Sequence, residues 1–176
     1  GNVFNAGTVS ASASSATSGA SANALTLNVS SFLGGINNSG GTLSASAMTT
    51  GVTNTNNASA AGIRANVSTF TGGILNSGTI SGVAKSTNGA ATAYGVTLNG
   101  SLFSGGLSNG GTISANATVS GTNNRTATAY GIIGRFTTFG GGIANSGLIS
   151  GVASDTKGEA AAYGVSLFST VFSGGF

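Results

Sequence analysis

The chain has 176 residues, of which 32 are glycine and only 4% are charged, with no Pro, Cys, His or Trp. That composition excludes a disulfide scaffold and any thiol or imidazole chemistry. Its five cations, Arg64, Lys85, Arg125, Arg135 and Lys157, are scattered and make no basic patch for nucleic acid. The high net charge and low hydrophobicity of a disordered chain are missing too, and no apolar run is long enough for a transmembrane helix.

The chain repeats itself. A headless copy opens it (VFNAGTVSASA, from Val3), and fuller copies start at Phe32 (FLGGINNSGGTLSASA), Phe70 (FTGGILNSGTISGVA), Phe103 (FSGGLSNGGTISANA) and Phe139 (FGGGIANSGLISGVA). With Phe172, these marker phenylalanines stand 38, 33, 36 and 33 residues apart. A period in this range is the signature of a stacked, quasi-one-dimensional architecture. We read residues 1–176 as one repetitive array, with repeats at about 1–31, 32–69, 70–102, 103–138 and 139–171 and residues 172–176 starting the next. Val3 and Phe176 hold the same place in the repeat, so the expected ends are uncapped, with Val3, Val171, Phe172 and Phe176 as end-stacking residues.

Within each repeat the first element is a short piece that runs from the marker Phe through a glycine pair and an aliphatic residue to an Asn. The glycines supply the backbone angles of a corner. The Asn (Asn5, Asn76, Asn109 and Asn145, with Asn37 or Asn38 in the copy carrying an extra residue) has the parity of an inward residue. Its amide can bond the equivalent Asn above and below, as in an Asn ladder; alternatively, Asn merely tolerates a left-handed turn before Ser-Gly.

A strand follows. Val9, Leu43, Ile80, Ile113 and Ile149 align as one inward row, with an alanine row four residues on. Ala11, Ala45, Gly82, Ala115 and Gly151 between them let the walls approach. The outward neighbours are Thr8, Thr42, Thr79, Thr112 and Leu148 on one side, and Ser10, Ser44, Ser81, Ser114 and Ser150 on the other. A variable polar loop comes next, holding TNTNNAS, KSTNG, TNNRT or DTKG.

The last element is a strand of roughly nine residues before each marker Phe, read from alternation at a period of two. Positions five, seven and nine before the Phe are mostly apolar, and those two and four before it are small or polar. Tyr94, Tyr130 and Tyr163 fall at nine and are expected in an internal stack rather than as sugar-stacking aromatics. No helical stripe appears anywhere. The fold class is all-β: a parallel β-solenoid of about five coils of 33–38 residues.

The strings GGIxNSGTISG and AYGV, with Ser/Thr/Asn-rich loops and no Cys, resemble the repeats of autotransporter passenger regions and related filamentous adhesins. The resemblance spans the whole chain. It implies a right-handed parallel β-helix outside a Gram-negative cell, at the cell surface or beyond it. It carries over no catalytic residue, and the family's C-terminal membrane barrel is not in this stretch.

Chemistry has little to work with. The only acids, Asp155 and Glu159, share one loop, and DTKGE reads as a solvated turn with a weak Lys157 contact. Calcium-binding nonapeptide turns and phosphate loops are absent, so no catalytic, cofactor-binding or metal residue is expected. Asn-x-Ser/Thr sequences at Asn28, Asn57, Asn66, Asn99, Asn116 and Asn124 fit glycosylation acceptors, a pattern this composition produces by chance. The leading expectation is a non-enzymatic structural protein, a stiff extracellular rod or filament whose partner is itself. The alternative is an adhesin that binds glycan or matrix through its loops or Thr/Ser face. An ice-binding solenoid comes third.

Overall fold

The structure, a computed structural model, describes residues 1–52 and 56–176; Thr53, Asn54 and Thr55 of the expected TNTNNAS loop lie outside the described residues. The first coil consists of β1 (Val3–Asn5), β2 (Thr8–Ser15) and β3 (Ala20–Phe32). The second has β4 (Ile36–Asn38), β5 (Thr42–Thr49) and β6 (Ala58–Phe70), and the third β7 (Ile74–Asn76), β8 (Thr79–Ser86) and β9 (Ala91–Phe103). The fourth has β10 (Leu107–Asn109), β11 (Thr112–Val119) and β12 (Thr126–Phe139), and the fifth β13 (Ile143–Asn145), β14 (Leu148–Asp155) and β15 (Glu159–Phe172). Among the described residues every regular element is a strand.

Like strands pair with like, always in parallel. They form three five-stranded sheets: β1-β4-β7-β10-β13, β2-β5-β8-β11-β14 and β3-β6-β9-β12-β15. The chain is therefore a β-solenoid of five coils, each stacked on the last at the inter-strand distance of about 4.8 Å. Repeat equals coil because each backbone ladder demands a neighbour of matching length and pattern.

The interior holds two layers. Leu43, Ile63, Ile80, Val96, Ile113 and Ile132 pack with Phe70, Phe103 and Phe139 in one fully buried cluster, and alanines fill the other. The alanine layer is thin because the walls nearly touch. A β-carbon on Gly82 would collide with the Tyr94 carbonyl oxygen across it. Gly73 and Gly106 hold φ of 71° and 73° at the corners before the short strands, a region that costs any other residue steric strain. The extra residue of the second coil is taken up at Gly40, with φ of 71°.

The long strand corrects the nine-residue expectation. It runs 13 or 14 residues and its alternation slips twice. Pairing skips Ala24, Gly62, Gly95, Gly131 and Gly164, and inward residues there lie three apart, as Ala93 and Val96 do. A second slip precedes the marker Phe, so Phe136 and Phe139 both point inward. Each slip is a bulge-like extra residue that bends the sheet. The marker Phe thus ends the long strand rather than opening the short one. Volumes compensate between coils on this wall: Gly100 leaves room for Phe136, whose Cε1 lies 3.0 Å from where a β-carbon would sit, and Gly134 does so for Leu167.

Candidate functional site

The most ordered constellation is the asparagine row. Asn5, Asn38, Asn76, Asn109 and Asn145 each end a short strand, and the Nδ2 of each of the first four donates to the next Oδ1 at 2.7 Å, so the row links all five coils. In the second coil the ladder residue is Asn38, not Asn37. Each interior Nδ2 also reaches two backbone carbonyls. For Asn76 these are Gly78 O and Thr112 O, both at 3.2 Å. The amide thus ties its own coil's turn to the coil above. Asn38, Asn76 and Asn109 are at most 1% exposed, so the row satisfies buried polar groups in the one corner where an aliphatic residue cannot. The dipoles align head to tail, and such chains polarise one another. No non-glycine residue described has positive φ, so these asparagines are not left-handed turn residues.

The aliphatic row lies where period two puts it. Leu43, Ile80 and Ile113 are buried, while Val9 and Ile149 in the outer coils are less covered. The marker phenylalanines form a continuous ring column with centroids 4.8–5.5 Å apart from Phe32 to Phe172. Of the expected end-stacking residues, Val3 is half-buried against the core, whereas Val171, Phe172 and Phe176 are 49%, 42% and 80% exposed.

The tyrosine row is a correction. Tyr94, Tyr130 and Tyr163 do stack, with centroids 5.7 and 4.9 Å apart and planes within 7° and 9°. They stand on the outer wall, half-exposed, because the slip at Gly95 and its equivalents reverses the parity beyond it. There the bend makes an outer crook. Arg64 lies 6.0 Å over the Tyr94 ring and its Nε donates to Asn23 Oδ1 at 3.0 Å. Burial, then the neighbouring Tyr163 and Tyr94, push the Tyr130 phenol above its ordinary value, and Arg135 opposes them. The inner rings cover one another, while Tyr163, in the edge strand, is 44% exposed.

The outward Thr and Ser columns are in register across β2, β5, β8, β11 and β14. The Ser column is unbroken, whereas Leu148 ends the Thr column. Beyond them Met48, Val83, Lys85 and Val152 interrupt the hydroxyls.

One surface feature escaped the sequence reading. A groove of about 570 Å³ crosses the coils outside the short strands. Phe4, Leu33 and Leu75 flank it, glycine corners line it, and Asn37 Oδ1 is buried there without a hydrogen-bond partner. The outward row under it, Phe4, Asn37, Leu75, Ser108 and Ala144, changes residue in every coil. That loss of repetition was the available signal.

Asp155 Oδ1 accepts the backbone N–H groups of Lys157 and Gly158 at 2.9 and 2.8 Å, a local turn rather than a contact with the lysine ammonium. Among the described residues no three metal-ligating side chains come together, and no helix is long and apolar enough to cross a membrane. In comparisons with known proteins, the chain matches no family model, no curated protein and no solved structure.

Proposed function

We propose that this chain is a structural module, a stiff rod segment that acts by its shape and works without catalysis. The observation that carries the reading is the repetition of the inward rows from coil to coil, above all the unbroken asparagine ladder. A unit that presents the same ladder on each coil has no built-in length, so further coils can continue it, whether from the same polypeptide or from another copy. Such a coil would cover Val171, Phe172 and Phe176, a gain of roughly 25 cal/mol for each Å² of apolar surface removed from water. Few charges oppose the contact. Loops of Ser, Thr, Asn and Gly suit a scaffold better than a receptor-binding edge, and the interrupted hydroxyl columns weigh against an ice-ordering face. The resemblance of the repeats to passenger regions supports a place outside a Gram-negative cell.

Negative-stain electron microscopy of the purified chain tests the proposal. Straight rods that lengthen with concentration are expected, and Phe172→Glu should stop the lengthening. Short particles of a single length at high concentration would overturn assembly from separate copies, and threads that bend freely would overturn the stiff rod itself.

A further inference from the structure

Three Asn-Gly pairs occur in the chain, at Asn88–Gly89, Asn99–Gly100 and Asn109–Gly110. In such a pair the glycine nitrogen, unhindered by a β-carbon, can attack the Cγ of the preceding side chain. The N–H proton is lost and a Cγ–N bond closes a succinimide ring. The Cγ–Nδ2 bond breaks and ammonia leaves. Water then opens the ring at either carbonyl, giving aspartate or isoaspartate, with no change of oxidation state.

Only one of the three lies in the ladder. While the coil is closed, every group the reaction needs at Asn109 is engaged elsewhere. Its Nδ2 donates to Asn145 Oδ1 at 2.7 Å and to Gly111 O and Leu148 O at 3.2 Å each. Its Oδ1 accepts from Asn76 Nδ2 at 2.7 Å, and the attacking nitrogen, Gly110 N, donates to Asn76 O at 2.7 Å. The other ladder asparagines are followed by Ala6, Ser39, Ser77 and Ser146, so the reactive sequence enters the ladder in this coil alone.

We propose that Asn109 is a conditional deamidation site: the closed solenoid protects it, and opening of its coil exposes it to a change that prevents the ladder from re-forming. A carboxylate there has no N–H to give. Gly111 O, Leu148 O and Asn145 Oδ1 would each lose the amide donor and face a buried negative charge. The isoaspartate product also lengthens the backbone just ahead of β11, whose Ile113 is fully buried, and displaces its register. A reversible opening thereby becomes a permanent break at a known residue. This holds whether or not the solenoid serves as a rod.

The test uses the whole chain and Gly110→Ser. Gly110 is exposed and outside the left-handed region, and a β-carbon there meets nothing nearer than Ser146 Oγ at 3.7 Å. Serine already occupies that place after Asn38, Asn76 and Asn145. Folded and urea-unfolded samples are held at mildly alkaline pH, and peptide mass spectrometry follows residues 88, 99 and 109. Asn109 should react at least about tenfold more slowly folded than unfolded, because several of its bonds must open first. At Asn88 the attacking Gly89 N donates to Ser86 Oγ at 2.9 Å, but the amide is held by longer bonds, Nδ2 to Gly51 O at 3.4 Å and Oδ1 from Asn123 Nδ2 at 3.3 Å, so it should be protected less. Over repeated unfolding and refolding, recovery of β-structure should decline in step with modification at 109, and Gly110→Ser should preserve it. Equal rates at Asn109 in both states would overturn the inference. So would full refolding of chains already modified there, or loss of recovery in Gly110→Ser at the wild-type rate.

Discussion

Replacing Asn76 by alanine tests the ladder at its centre. Asn38 Nδ2 would lose its 2.7 Å acceptor but keep Gly41 O at 3.0 Å and Thr79 O at 3.2 Å. Asn109 Oδ1 would lose the Asn76 Nδ2 donor, and Gly78 O and Thr112 O would lose a side-chain donor each. Two ladder bonds at a net 0.5–1.5 kcal/mol each, plus a stranded buried acceptor at about 1–3 kcal/mol, give a cost of roughly 2–6 kcal/mol. That is a large share of an ordinary domain's stability of about 5–15 kcal/mol. Asn145→Ala is the control. Asn145 is exposed, and its loss removes one ladder bond while Asn109 Nδ2 keeps two backbone acceptors, so about 1 kcal/mol is expected. Urea denaturation followed by circular dichroism would measure both, with the shape of the transition checked because solenoids can melt from their ends. If the two variants unfold at the same urea concentration, the ladder contributes no more inside than at its rim, and the reasoning fails.

Two further predictions concern the walls. Ile80→Asp places an unpaired carboxylate in the closed aliphatic row and should cost about 4 kcal/mol or more, while Ser81→Asp, facing outward, should stay within about 1 kcal/mol; equal losses in thermal unfolding would contradict the inward and outward assignment. The Tyr130 phenol is raised in the folded chain, chiefly by desolvation, so its contribution is intact below the unfolded value of about 10 and is lost as the pH climbs through the raised folded value. Ultraviolet titration should show Arg135→Gln moving Tyr130 further up, and Tyr130→Phe should reduce the alkaline loss of stability; an unchanged alkaline loss in Tyr130→Phe would exclude the phenol as its source.

The eight-residue strands were legible because nothing interrupts their alternation. From Thr79 to Ser86 the side chains turn in and out without a slip, and Ile80 and Ala84 are found where counting by two puts them. The asparagines were legible because they recur at a fixed offset from the corner. The choice between Asn37 and Asn38 was legible as well: Asn38 stands as far beyond Phe32 as Asn76 does beyond Phe70, and the extra residue at Gly40 comes after both candidates. In the long strand a count by two carries across Gly95 and puts Tyr94 on the same side as Val96. The glycine was itself the warning, for an isolated glycine inside a strand pattern marks a bulge.

The tyrosine error separates two kinds of information in a repeat. Which residues lie above one another depends on the repeat length, because every coil carries the same slips at the same places. Tyr94, Tyr130 and Tyr163 therefore stack whatever the local backbone does. Which side of the wall they occupy depends on the number of slips between them and a residue of known direction, and one unnoticed slip reverses it. Columns in a solenoid can thus be read by alignment alone, whereas faces need a local anchor on each side of every glycine. The Ala93 row supplied that anchor here. Alanine recurs in every coil one residue before the tyrosine row, as Ala22, Ala60, Ala93, Ala129 and Ala162, and a run of uniformly small residues is what a thin interior layer demands. Taking those alanines as inward sends the tyrosines out, and the glycine after them becomes the point where the wall turns.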